Sequence, residues 1–103
     1  MKIQLADNPN KATLLALMHE AYEQEPDTSD AEWETIEDAT GNLLNDPNAG
    51  EAYIILDHDE DPIGYMIMYR RFSVQSGGYF SRIDEVYLRG SESGRFRDDG
   101  SIP

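Results

Sequence analysis

The 103-residue sequence predicts an α+β domain in the order strand, helix, helix, strand, strand, strand, closing in an antiparallel meander. Three observations carry this. Two runs of alternating residues flank Gly77-Gly78, an uninterrupted apolar run from Ala52 to Leu56 precedes them, and two stretches with apolar residues at helical spacing lie upstream.

Lys2 to Ala6 alternates through Ile3 and Leu5 and makes a short first strand. Asp7-Asn8-Pro9 opens a helix, with Asn8 placed to accept from an orphan amide and Pro9 suited to the first helical position. Leu14, Leu17, Met18, Ala21 and Tyr22 form its buried stripe, and Pro26 ends it near Gln24. His19 has no evident partner and reads as a surface residue of this helix.

A second helix begins at Ser29, whose hydroxyl and the Glu32 carboxylate have capping-box spacing. Trp33, Ile36, Thr40, Leu43 and Leu44 continue one face, and Asn45-Asp46-Pro47 stops the element. Gly41 weakens it by about 1 kcal/mol relative to Ala and marks a kink or a close packing contact.

The strand Ala52 to Leu56 leads into Asp57-His58-Asp59-Glu60-Asp61. This cluster fits no calcium loop, having neither the glycine at the sixth position nor the glutamate at the twelfth, so a solvated hairpin turn is expected and no metal site. From Pro62, Ile63, Tyr65, Ile67 and Tyr69 alternate with Gly64, Met66, Met68 and Arg70. Both faces of this strand are largely apolar, which places it centrally in its sheet. In the last strand, period-two alternation puts Ile83, Glu85 and Tyr87 on one face and Asp84, Val86 and Leu88 on the other, leaving a carboxylate on each side of a largely buried strand.

Composition narrows the function classes. A chain of this length is one domain, and the absence of cysteine removes disulfide frameworks and thiolate metal sites. No apolar run approaches a membrane span and the start lacks a signal-peptide layout, so a soluble cytoplasmic protein is expected. The net charge of −13 is uneven: residues 1–61 carry −14 and residues 62–103 carry +1. Such a field disfavours nucleic acid and anionic membranes and suits cationic amines, although a solvated, salt-adapted surface has the same composition.

The order Pro62-Ile63-Gly64-Tyr65, a turn ending in Gly77-Gly78, then Ile83-Asp84-Glu85-Val86-Tyr87-Leu88-Arg89 resembles the third and fourth strands of the GNAT superfamily of acyl-CoA-dependent N-acetyltransferases. The resemblance covers about residues 3–89 and implies a GNAT-like partial fold, a half-domain over 1–89, followed by a disordered C-terminal tail over 90–103. It implies acetyl-CoA as co-substrate, with backbone groups of Val86, Tyr87 and Leu88 meeting its pantetheine arm and Arg89 opening the pyrophosphate loop. It also implies that Glu85 takes the proton from a primary amine. An ammonium has no lone pair with which to attack a thioester, so the reaction needs a base. The alternative for Glu85 is a structural ion pair with Arg82 or Arg71.

The resemblance thins after Arg89. The family loop runs Arg/Gln-x-x-Gly-x-Gly/Ala, and here Gly94 falls on a glycine while Phe96 and Asp98 stand where small residues belong. The family's later helices and strands have no counterpart. Three readings follow: a truncated or frame-shifted, inactive acetyltransferase; a non-catalytic assembly module that pairs through an exposed fourth strand as a homodimer or with a partner chain; and an acetyltransferase assembled from two chains or gripping its cofactor through Arg89, Arg95 and Arg97.

Overall fold

The computed structural model describes residues 1–24 and 33–90 in full and 95–97 as backbone. Strands β1 (Lys2–Leu5), β2 (Gly50–Leu56), β3 (Pro62–Ser73), β4 (Gly78–Leu88) and β5 (Arg95–Arg97) form one sheet in the spatial order of the chain, every neighbour antiparallel. β3 is central, as its two apolar faces require. Helices α1 (Lys11–Glu23) and α2 (Trp33–Asn45) pack on one face of the sheet. No described helix is long and apolar enough to cross a membrane.

The core follows from the two periodicities. Leu14, Leu17, Met18 and Ala21 from α1 meet Ala52, Ile54 and Leu56 from β2, Tyr65 and Ile67 from β3, and Tyr87 from β4. Leu14 and Tyr65 are fully buried, each withdrawing enough apolar surface to contribute about 1.5–3 kcal/mol. Trp33, Ile36, Leu43 and Leu44 close the rim from α2.

Helix ends are fixed locally and then tied together. A 3-10 turn over Asn8–Asn10 precedes α1, and its N-cap is Asp7, one residue before the expected Asn8; the Asp7 N–H donates to Asn10 Oδ1 at 3.3 Å. Asn8 is instead used at long range: its amide and that of Asn45 exchange hydrogen bonds of 2.9 and 3.2 Å, pinning the start of α1 to the end of α2. Gly41 makes the expected close contact, since a Cβ there would stand 3.0 Å from Lys11 Nζ. α1 ends at Gln24 as expected, while the Ser29–Glu32 capping box lies outside the described residues.

Asp57–Asp61 is a hairpin turn. Asp57 Oδ1 accepts from the N–H groups of Asp59 and Asp61 at 2.8 and 3.0 Å, so this carboxylate is engaged by its own loop. His19 is not the solitary surface residue expected: Nδ1 lies 3.2 Å from Glu23 and the ring meets Trp33 edge-on, with 4.9 Å between centroids. Glu23 is its i+4 neighbour, within reach of helical spacing, whereas Trp33 comes from the next helix, where that spacing does not point.

Two further differences concern β4. The β3–β4 register shifts so that Ile67 faces Glu85 while Met68 faces Ile83, leaving Asp84 as an extra, bulged residue. One inserted residue advances the two-residue alternation by one, so Ile83 leaves the face it was expected to share with Glu85 and Tyr87. The outer edge of β4 is also not fully open, because β5 lies opposite Glu85, Val86 and Tyr87. Residues 95–97, expected within an unstructured tail, instead supply that short strand on an edge with backbone groups to satisfy; 91–94 and 98–103 lie outside the described residues.

Candidate active site

Glu85 keeps the face of Tyr87, toward the helices, and the bulge at Asp84 lies just before it. Glu85 is 8% exposed, and its register partner is Ile67. Tyr65 Oη donates to Oε1 at 2.6 Å, and Tyr22 Oη lies 2.9 and 3.0 Å from the two carboxylate oxygens. Tyr65 is the register partner of Tyr87, one step along the same face, so β3 holds its phenol beside Glu85. Tyr22 reaches over from the last turn of α1. Burying a carboxylate is costly unless charge-assisted hydrogen bonds meet it, and these two phenols provide them. Of the arginines weighed as partners for Glu85, Arg82 stands opposite Tyr69 and Arg71 opposite Phe80 in the register.

Glu85 lies on the wall of an open cleft of about 400 Å³ between α2 and β3, shared with Tyr22, Ile36, Leu43, Met68 and Asp84. That volume is within the range of small-molecule sites. The arrangement joins a fixed, buried carboxylate to a mostly apolar recess, which suits proton transfer from a cationic group held inside it.

A second network closes the far end of β4. Arg89 Nε and Nη2 donate to Glu20 Oε2 and Oε1, both at 2.9 Å, in a two-pronged pair. Tyr87 Oη donates to Glu20 Oε2 at 2.6 Å and accepts from Gln24 Nε2 at 3.2 Å. The hydrogen bond from Arg89 is the main reason the Glu20 carboxyl is held below its ordinary range, with Tyr87 second. Burial, then the Glu20 contact, pushes the Tyr87 phenol up, so it remains a donor.

The four residues that the resemblance assigns to the cofactor therefore differ in setting. The Arg89 N–H donates to Ile63 O at 2.6 Å. Backbone groups alternate sides along a strand, so Val86 and Leu88 turn theirs away from β3. Val86 stands opposite Phe96 of β5, and Leu88 lies beyond the β5 register. Tyr87 is 2% exposed, its side chain bound to Glu20, and the Arg89 guanidinium is committed to the same carboxylate. Beyond it Gly90 turns the chain at φ +77° with open space around it, a conformation that favours glycine.

No family model and no curated protein matches the sequence. Solved structures do. An integron cassette protein from the mobile metagenome of Cole Harbour Salt Marsh superposes with a TM-score of 0.75 at 23% identity, over 89% of this chain and 59% of that one. The fold is GNAT-like. A possible acetyltransferase from Clostridium difficile 630 gives a TM-score of 0.72 at 15% identity, covering 86% of this chain and 57% of that one. The ribosomal-protein-alanine N-acetyltransferase of Brucella melitensis biovar Abortus 2308 gives 0.61 at 22% identity, over 91% and 60%. The chain thus has the α+β arrangement expected of a GNAT-like partial fold and spans about 60% of the length of these structures.

Sequence reasoning singled out Glu85 as a candidate but not its hydrogen-bond partners. Tyr22 and Tyr65 read as members of apolar stripes, and Glu20 as one acid among many. The available signal was chemical: a tyrosine in a buried stripe still needs a partner for its hydroxyl.

Proposed function

We propose that this chain carries the amine-binding and proton-accepting part of an acetyl-CoA-dependent N-acetyltransferase. The observation that carries the reading is the buried Glu85 carboxylate, held by Tyr22 and Tyr65 on the wall of the α2–β3 cleft. The likeness of fold to acetyltransferases supports it.

In this reaction the substrate ammonium gives a proton to Glu85. The freed nitrogen lone pair attacks the thioester carbonyl carbon, the nitrogen gives up its second proton to solvent, and the C–S bond breaks. The departing thiolate takes up a proton from solvent, while Glu85 passes its own proton to solvent before the next turnover. Tyr22 and Tyr65 fix the carboxylate so that the proton moves to a preset position. The pantetheine arm meets the outward backbone groups of Val86 and Leu88, and β5 leaves Val86 to admit it. Arg89, tied to Glu20, anchors the strand end beside the Gly90 turn. The pyrophosphate cradle comes from a second chain.

The test is thiol release from acetyl-CoA in the presence of a primary amine. Glu85→Gln should lower the rate by about 100-fold or more while the variant still melts cooperatively; an unchanged rate would remove Glu85 from the chemistry.

A second reading, an assembly module pairing copies through the β4 edge, is favoured by one observation. Among the described residues β4 has β3 along its length on one side and a strand partner only at Glu85–Tyr87 on the other. A protein that sediments as a monomer at high concentration would contradict this reading.

A further inference from the structure

We infer that the α2–β3 cleft selects a primary monoamine with an apolar body, of phenylalkylamine type, over polyamines and over neutral analogues of the same shape. The inference rests on the acetyltransferase reading for its use, but it concerns binding alone.

The argument is the distribution of charge and surface around the recess. Both carboxylates of its lining, Asp84 and Glu85, are consecutive residues at the β4 bulge, and no lysine, arginine or histidine is among its described lining residues. The rest of the wall is mainly apolar, with Met18, Ile36, Ala39 and Leu43 from the helices and Ile67 and Met68 from β3. Thr40 adds little polarity, since its hydroxyl donates to Ile36 O within α2 at 2.7 Å. One ammonium can therefore sit by the acidic pair while the body lies against α2. A second ammonium farther along the ligand would meet Ile36, Ala39 and Leu43 with only neutral polar groups, Asn42 and Tyr69, nearby, and would find no further carboxylate among the described lining residues to pair with. An alcohol of the same shape keeps the apolar contacts and forgoes the charge pairing. At about 400 Å³ the cleft exceeds what one aromatic ring fills, so a ring with a short alkyl arm is accommodated.

The test is a titration of the isotope-labelled chain with phenethylamine, 2-phenylethanol and spermidine, followed by amide shifts at Ala39, Met68 and Asp84. Phenethylamine should bind at least about tenfold more tightly than the alcohol and several-fold more tightly than spermidine. Ala39→Asp, on an exposed position of α2, should fold normally and shift preference toward spermidine by about fivefold or more, because it places a partner for the distal charge. Glu85→Gln should erase the preference for amine over alcohol. Equal binding of amine and alcohol, tighter binding of spermidine to the unaltered chain, or no shift at these amides would each overturn the inference. Acetyl-CoA is titrated separately. Selective amine binding without any response to acetyl-CoA would refute the enzyme reading and leave the site standing, whereas a response to acetyl-CoA with no amine selectivity would do the reverse.

Discussion

The Tyr65 hydroxyl lies 2.6 Å from Oε1 of Glu85, with both side chains withdrawn from solvent. Removing that donor leaves a buried carboxylate with less support, which costs more than a neutral hydrogen bond. Tyr65→Phe should lower stability by about 1.5–3 kcal/mol in urea unfolding. Tyr22→Phe, at a half-buried position, should cost less. Equal and negligible effects would mean that the phenols do not hold the carboxylate.

Gly64 tests the close approach of the two central strands. A Cβ there would come within 2.1 Å of the Tyr87 carbonyl oxygen, and backbone cannot yield as a flexible side chain does. Gly64→Ala should cost about 3 kcal/mol or more. Gly77→Ala, where φ is +81° but the surroundings are open, should cost only about 1 kcal/mol. Comparable urea midpoints for the two variants would contradict this packing.

Much of this was legible in sequence because it is periodic. The apolar alternation of Ile63 to Tyr69 gave the central strand, and Leu14, Leu17 and Met18 gave the buried face of α1. The bulge at Asp84 was hidden because alternation counts every residue, and nothing local says that one has been inserted. The partners of Glu85 lie 20 and 63 residues away, and those of Arg89 and Tyr87 lie on α1, so those links exist only once the sheet has formed. Glu85 itself was singled out through the family pattern, and burial explains why it needs Tyr22 and Tyr65.

The Glu20–Arg89 pair sets a pH dependence. Glu20 has its folded carboxyl pKa below the ordinary value, chiefly through Arg89, so its contribution to stability is present above the unfolded carboxyl range and is lost as pH falls through the lowered folded value. The pair is partly exposed, and with solvent screening Glu20→Gln should cost about 0.5–1 kcal/mol at neutral pH. The gap between variant and parent should close on acidification through the carboxyl range. A gap that persists at the acid end would assign the effect to packing.

β5 and the pantetheine arm compete for the same outward groups at Val86 in the proposed reaction. A chain ending at Gly90 should then show at least as large a response to acetyl-CoA as the full chain, read as the shift in unfolding midpoint. A response that disappears with residues 91–103 would instead make that segment part of the cofactor site.

The unfolding midpoint of the full 103-residue chain with and without a large excess of acetyl-CoA tests the central claim most directly. At about a hundred times the dissociation constant, binding to the folded state stabilises it by roughly 2.7 kcal/mol, which for a domain of this size raises the midpoint by roughly 10 °C or more. The acetyltransferase reading predicts that rise. A cooperative transition whose midpoint ignores acetyl-CoA at every concentration would contradict it.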